Sequence, residues 1–347
     1  MYMNKYILTW YLKNKRNLPW RKTKDPYMVW LSEIMLQQTR VVQGLPYFIK
    51  FTNEFKTVFD LAKADESKVL KLWQGLGYYS RARNLHFTAK YIANELNGVF
   101  PNNYKELLKL KGVGDYTASA IASICYNEPV AVVDGNVYRV LARYFGIRTP
   151  INSTKGIKEF KELAQSLLDV SQPGTYNQAI MDFGAMQCKP QNPLCDTCPF
   201  SESCVALAKK LVKELPVKEK KLKIKKRYFN FLVIVTDNDE TIIKERKGKG
   251  IWQGLYQFPL IETEKPISEI VLIENKDFYA LFPADTTLSL FNTKDIVHKL
   301  SHQHLYTKFW IVRTRNITEK TVLWKDIKEF PVPILIDKFL NEFINNK

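Results

Sequence analysis

Cys188-Lys-Pro-Gln-Asn-Pro-Leu-Cys195-Asp-Thr-Cys198-Pro-Phe-Ser-Glu-Ser-Cys204 is the stretch on which the reading of the chain turns. Four of the five cysteines fall within these seventeen residues, spaced C-x6-C-x2-C-x5-C, with Pro190, Pro193 and Pro199 stiffening the connections. Short proline-bounded loops of this kind can turn four thiolates toward one centre. A set of disulfides is disfavoured, because the N-terminus has no signal-peptide pattern and the fifth cysteine, Cys125, ends an apolar helical run from Ala120, as expected in a reducing cytosol. Structural zinc sites usually pair two C-x2-C knuckles, and here only Cys195 and Cys198 make one. The spacing favours one 4Fe-4S cluster, with zinc as the alternative.

Outward from that loop, 347 residues at 46% hydrophobic content suffice for two packed domains, and no apolar run approaches the length of a membrane span. The formal net charge of +17 points to a polyanionic partner. Part of it is local: residues 207–227 hold ten Lys and Arg against Glu214 and Glu219, a composition typical of a solvated linker. The excess elsewhere still favours nucleic acid. Before this run the pattern is helical, with Asp25 as N-cap, Pro26 at the first helical position and a stripe of Leu31, Ile34, Met35 and Val42. After it, Tyr228 to Thr236, a polar turn at 237–239 and Thr241 to Lys244 read as a hairpin; Leu305 to Val312 reads as a strand and Pro333 to Ile344 as a helix. The expected organisation is a helical domain over 1–206 containing the loop 188–204, a basic linker over 207–227 and a smaller α/β domain over 228–347.

Two further motifs carry chemistry. Gly112-Val-Gly114 lies between helical segments, where glycines permit a tight turn and the amides opening the next helix face an incoming anion, giving a helix-hairpin-helix phosphate clamp. Val133-Asp134-Gly135-Asn136 places an acid at a helix start. As an N-cap, Asp134 would be held ionised by hydrogen bonds and the helix dipole.

Together these motifs resemble the MutY-type adenine DNA glycosylases of the helix-hairpin-helix superfamily, which includes endonuclease III. The resemblance runs from Leu18-Pro-Trp20-Arg21 through Ser32-Glu33 to Gln37-Gln38-Thr39, Gln74 to Arg83, the glycine hairpin, Asp134 and the cysteine loop. It continues through Gly250 to Pro259 and His298 to His302, so it covers essentially the whole chain. It implies a multi-domain protein: an all-α helix-hairpin-helix DNA glycosylase domain with an iron-sulfur cluster loop, plus a smaller α/β Nudix-like domain that recognises 8-oxoguanine. The Nudix hydrolase signature Arg-Glu-x-x-Glu-Glu is absent from Ile261 to Ile270, so metal-dependent hydrolysis is not expected there.

The resemblance also implies roles. Glu33, which on a helical wheel lies opposite the apolar stripe, would protonate N7 of adenine and later help activate water, a task that needs a carboxyl with a raised pKa. Asp134 would stay charged and stabilise an oxocarbenium-like sugar. Tyr116 stands where strand-cutting relatives carry a nucleophilic lysine, which implies a monofunctional enzyme. Gln38 and Tyr78 would fill the gap left by the extruded base, with the first helix ending near Gln37 and Thr39 capping the next. Leu300, Ser301 and His302 would inspect the oxidised guanine. Arg21, with Arg16, Leu18 and Trp20, would touch the lesion from the first domain, Gly112 and Gly114 would hold phosphate, and Tyr79, Arg81 and Arg83 would make generic DNA contacts. The expected partner is double-stranded DNA containing adenine opposite 8-oxoguanine, or guanine, with no membrane, a monomeric chain and a cytoplasmic, nucleoid-associated location. The alternatives are an endonuclease III-like bifunctional glycosylase/lyase and a non-catalytic redox-sensing DNA-binding protein.

Overall fold

The computed structural model describes residues 2–219, 224–279, 281–282, 286–315, 317 and 319–345. The chain divides into two compact units, Met1–Lys63 with Asn84–Lys220, and Ala64–Arg83 with Lys221–Lys347. The second unit thus takes in a stretch of the expected helical domain.

The first unit is all helical. Its elements are α1 (Tyr2–Asn14), α2 (Pro26–Leu36), α3 (Val41–Glu54) and α4 (Val58–Lys63), then most of α6 (Ser80–Glu95), α7 (Tyr104–Leu107), α8 (Asp115–Tyr126), α9 (Gly135–Phe145), α10 (Thr154–Leu167), α11 (Pro173–Met186) and α12 (Val205–Ala208); α5 (Glu66–Leu72) belongs to the second unit. A core forms where Tyr176, Ile180 and Phe183 of α11 meet Val137, Val140 and Leu141 of α9, Ile7 and Tyr11 of α1 and Phe160 of α10. Burying such side chains stabilises the unit by roughly 1.5–3 kcal/mol each. Gly184 lets α11 approach the first turn of α9: a Cβ there would come within 2.6 Å of Asn136 Cβ. That close crossing sets Asp134 against α11.

The second unit is built on β1 (Lys225–Val235), β2 (Glu240–Thr241), β3 (Lys244–Glu245), β4 (Tyr256–Gln257), β5 (Leu260–Thr263), β6 (Thr287–Leu290), β7 (Ile296–Lys299), β8 (Gln303–Arg313) and β9 (Val322–Leu323), with α13 (Glu269–Ile273), α14 (Lys276–Tyr279) and α15 (Ile334–Asn345). Its main sheet has the order β5-β1-β8-β6, with β7 also on β8; β1 and β8 run parallel and the other pairs antiparallel. One face packs on α15, where Phe339 stacks on Phe309 at 4.1 Å. Leu232, Ile234, Trp310 and Val312 on the other face meet Leu272 and Phe278.

The strand expected at 305–312 and the helix expected at 333–344 are present, and two expectations need correction. The segment after the 237–239 turn does not run on as a second hairpin arm: Thr236 N donates to Glu240 O across the turn, and the two-residue β2 then pairs with β9 rather than with β1. Nor is 207–227 a solvated linker throughout. Leu215 is 2% exposed in the helical core, Ile151 N donates to Val217 O, and Lys225, Lys226 and Arg227 already belong to β1. Apolar residues spaced through the basic run anchor its first half. Lys220, Lys221 and Lys223 lie outside the described residues.

Candidate active site

Asp25 caps α2 as expected, its side chain accepting from Tyr27 N at 2.9 Å, and Pro26 follows at the first helical position. The helix is buried on nearly all sides. Glu33 is 7% exposed, so it does not lie on a solvated face, and the helix stops at Leu36. Gln38 then adopts φ 56°, a conformation costly for a non-glycine residue. Thr39 does not cap α3; the N-cap is the extended backbone of Arg40, with no side-chain cap bond, while Thr39 Oγ1 donates to Gln37 O at 3.4 Å.

A cavity of about 560 Å3 opens beside α2, lined by Glu33, Tyr116, Asp134, Asn136, Gln178, Met181, Arg16, Leu18, Trp20, Arg21 and Gln38, among others. Glu33 and Asp134 therefore face one space, from α2 and from the start of α9. Asp134 accepts from Asn136 N and Val137 N, both at 2.8 Å, and from Asn136 Nδ2 at 2.6 Å. A larger cavity, about 1010 Å3, lies elsewhere on this unit, and its charged lining residues Asp25, Lys56, Glu106 and Lys109 are all exposed. The smaller one is where Glu33 and Asp134 meet.

Protonation differs between the two acids. Burial pushes the Glu33 carboxyl up to about 7, against the downward pull of a hydrogen bond with Tyr116 and the charge of Arg21, with Asp134 adding to the rise. Burial also raises Asp134, while the Val137 and Asn136 N–H groups and Arg139 oppose it. Asp134 is thus not held low simply by capping, as expected from sequence. With three N–H donors aimed at the ionised form of Asp134, and burial as the main influence on Glu33, the pair's proton is held first on Glu33. The Tyr116 hydroxyl donates to Met181 Sδ at 3.2 Å and is raised well above its ordinary value, by burial first and then by both acids.

Arg21 departs from its expected role. It turns inward onto the fully buried Asp182, donating from Nη2 to Oδ1 at 2.7 Å, while Arg16 Nε donates to Oδ1 at 2.9 Å. The paired guanidinium groups hold the Asp182 carboxyl below the usual range in spite of its burial. Gln178, Met181, Asp182 and Ala185, none of which sequence reasoning picked out, follow the i, i+3, i+4, i+7 spacing of one helical face. That polar break in an apolar helix was the available signal.

The hairpin glycines lie outside this cavity. Gly112 adopts φ 83°, and a Cβ there would meet Asn84 Cβ at 2.8 Å; Gly114 is the N-cap of α8 and faces open space. No side chain caps α8, so its first amides remain available to an anion. In the second unit, Tyr78 has φ 48° and its hydroxyl lies 2.9 Å from Ser301 Oγ. Leu300, Ser301 and His302 form the turn between β7 and β8, with Leu300 N donating to Gln303 O. Tyr79 and Arg81 are buried, and Arg83 is half-buried, its Nη1 donating to Gln253 O at 2.6 Å.

Cys188, Cys195, Cys198 and Cys204 all line one small cavity of about 30 Å3. Burial and the neighbouring thiols raise Cys198 to about 11, since gathered thiols resist ionisation without a cationic centre. Among the described residues, no group of His, Cys, Asp or Glu gathers in a way that would hold a single ion. Four thiols converging on one closed space suit a cluster bound by four cysteines. Arg143 Nη1 donates to Cys188 Sγ at 3.4 Å, and Arg139 donates to Cys188 O at 2.7 Å and to Asn136 Oδ1 at 2.8 Å. Successive turns of α9 thereby tie the cysteine loop to the residue that holds Asp134.

Residues 31–166 match the model of the HhH-GPD superfamily base excision DNA repair proteins, 188–204 the iron-sulfur binding domain of endonuclease III, and 230–342 the NUDIX domain. The first assigns the helical fold and the second identifies the cysteine loop as a 4Fe-4S site. The chain is 37% identical over 309 residues to the adenine DNA glycosylase of Buchnera aphidicola subsp. Baizongia pistaciae, spanning 88% of this chain and 85% of that one. It is 35% identical to the adenine DNA glycosylase of Buchnera aphidicola subsp. Schizaphis graminum over 97% of both. Among solved structures, a thermostable thymine-DNA glycosylase superposes with a TM-score of 0.56 at 33% identity, covering 60% of this chain and 96% of that one. In the described residues, no helix is long and apolar enough to cross a membrane.

Glu33 has a consequence for stability. A carboxyl raised from 4.5 to about 7 holds its proton more tightly in the folded state, so it destabilises the fold progressively as pH rises through that window. Glu33→Gln is expected to raise the unfolding free energy by about 3 kcal/mol at pH 8 and by almost nothing at pH 4, measured by denaturant titration. A gain independent of pH would contradict the assignment.

Proposed function

The chain belongs to the adenine DNA glycosylase family, and on that premise we propose that it hydrolyses the N-glycosidic bond of adenine mispaired with 8-oxoguanine in duplex DNA, leaving an abasic site. The observation that carries this reading is the placement of Glu33, Asp134 and Tyr116 around one cavity, with unequal sets of donors on the two acids.

An adenine inside a duplex must be extruded before it can enter such a cavity. Protonated Glu33 then donates to N7, which makes the base a better leaving group. As the bond to C1′ breaks, positive charge develops on the sugar, and the ionised Asp134, fixed by Asn136 and Val137, stabilises it. The Glu33 carboxylate left behind accepts a proton from the attacking water. Tyr116 lines the same cavity as Glu33, its hydroxyl directed to Met181 Sδ. A phenol cannot form a Schiff base, and among the described residues no lysine lines the cavity, so strand cleavage through an amine is not expected. Cys188, Cys195, Cys198 and Cys204 would hold the 4Fe-4S cluster, which when bound would cross-link the loop; hydrolysis itself requires no electron transfer.

Discrimination is assigned to the second unit. Ser301 and His302 lie on an exposed turn and offer hydrogen-bonding groups to the base opposite the extruded adenine. Tyr78, bonded to Ser301, and Gln38, both in left-handed conformations, are proposed to fill the gap in the duplex. The first domain is read as 1–206 and the reader domain as 228–347.

Single-turnover release of adenine from an adenine:8-oxoguanine duplex, with an adenine:thymine duplex as control, tests the reading. Glu33→Gln is expected to slow release by about 10²–10⁴-fold while the duplex still binds; undiminished release would remove Glu33 from the chemistry. Borohydride should trap no covalent adduct, and a trapped adduct would establish the lyase instead. The double variant Ser301→Ala with His302→Ala is expected to reduce the preference for 8-oxoguanine over guanine about tenfold. Equal slowing on both duplexes would argue against a reader turn.

A further inference from the structure

The two faces of the main sheet in the second unit differ in how they treat charge. At the end of the sheet beside the 300–302 turn, strand register sets Lys226 directly opposite His304, and His304 opposite Lys299. The next row holds Tyr228, Tyr306 and Val297. Period-two alternation puts all six on the face that, further along, carries Leu232 and Trp310, as the bond from Trp310 Nε1 to Asn230 Oδ1 at 3.1 Å confirms. The hydrophobic cover of this face stops short of them. Lys308 Nζ, donating to Ile267 O at 2.7 Å, marks its edge, and beyond it Lys226, Lys299 and Val297 are exposed.

On the opposite face, Arg227 has an acidic partner. Arg227 pairs with Glu262 through Nε–Oε1 and Nη2–Oε2, both 2.6 Å, and also donates to Gln303. Among the described residues no ion pair holds Lys226, His304 or Lys299, and no acid shares their row. Lys226 Nζ lies instead over the Tyr306 ring at 6.0 Å, and that ring stacks on Tyr228 at 5.1 Å. Basic side chains placed directly opposite one another work against the sheet. A row of this kind, stiffened by stacked rings and left without counter-charge, suits an anion that comes from outside.

We propose that this open end of the sheet is a phosphate-binding face, which holds the sugar-phosphate backbone of duplex DNA beside the base that the 300–302 turn inspects. The inference rests on the reading of that turn as a DNA contact. Its occupant follows from charge complementarity and from continuity: β7 and β8, which carry Lys299 and His304, are the strands that the turn joins.

The test is the salt dependence of binding by the full chain, with a fully paired duplex and an adenine:8-oxoguanine duplex as probes. Each phosphate contact contributes about 0.9 to the slope of log affinity against log salt. Lys226→Gln with Lys299→Gln is expected to lower that slope by about 1.8 on both duplexes. Lys226→Arg with Lys299→Arg should retain it, which separates lost charge from lost fold. Lys244→Gln is the control, because its ammonium already pairs with Glu319 at 2.5 Å, and should leave the slope unchanged. An unchanged slope in the double glutamine variant overturns the proposal, as does an equal drop with Lys244→Gln. A lowered slope in a chain that releases no adenine would sink the catalytic reading and leave this face standing.

Discussion

A carboxylate with no solvent exposure at Asp182, held between Arg16 and Arg21, is the constraint on which the catalytic cavity depends. Leaving a buried charge unpaired costs about 3–5 kcal/mol, so the three side chains hold their positions together or not at all. Arg16 and Arg21 lie on the segment between α1 and α2, and Asp182 lies on α11. Closing this contact draws that segment, with Leu18 and Trp20, into the lining of the cavity. It also fixes a guanidinium beside Glu33 whose attraction for the ionised form is moderated by Asp182.

The two acids of the cavity differ through local structure. Glu33 sits mid-helix, where the backbone amides are already bonded, so burial dominates and the proton is retained. Asp134 sits before the first turn of α9, where free amides exist to be accepted from, and Asn136 adds its own side-chain donor. Arg139 then grips Asn136 and the Cys188 carbonyl together. The cysteine loop, remote from the cavity in chain order, thereby contributes to holding the Asp134 carboxylate still.

Much of this was legible from the residues. The cysteine spacing, the Gly112–Gly114 turn, the Asp134 cap and Asp25-Pro26 are local signals, each confined to a few neighbouring positions, and each appears where it was read. Glu33 was legible only through resemblance, since its wheel position pointed to solvent and it is buried by elements distant in sequence. The pairing of Arg21 with Asp182 is not legible in the sequence, because the two lie 161 residues apart and no periodicity announces a buried ion pair. The same holds for β1: alternation marks a strand, but which strands take its edges is decided by pairings across the whole unit. Charge alone makes the basic run read as solvated, whereas Leu215 and Val217 anchor half of it.

The most direct measurement is the pH dependence of single-turnover adenine release, compared between the parent chain and Asp182→Asn. With Glu33 as the proton donor, release should fall as pH rises through about 7. Asparagine keeps a hydrogen-bond acceptor for the two guanidinium groups but removes the charge that offsets Arg21 beside Glu33, which favours the ionised form of Glu33 and should move that fall to lower pH. A parent rate indifferent to pH between about 6 and 8, or a variant whose fall stays in place or moves upward, would contradict the account.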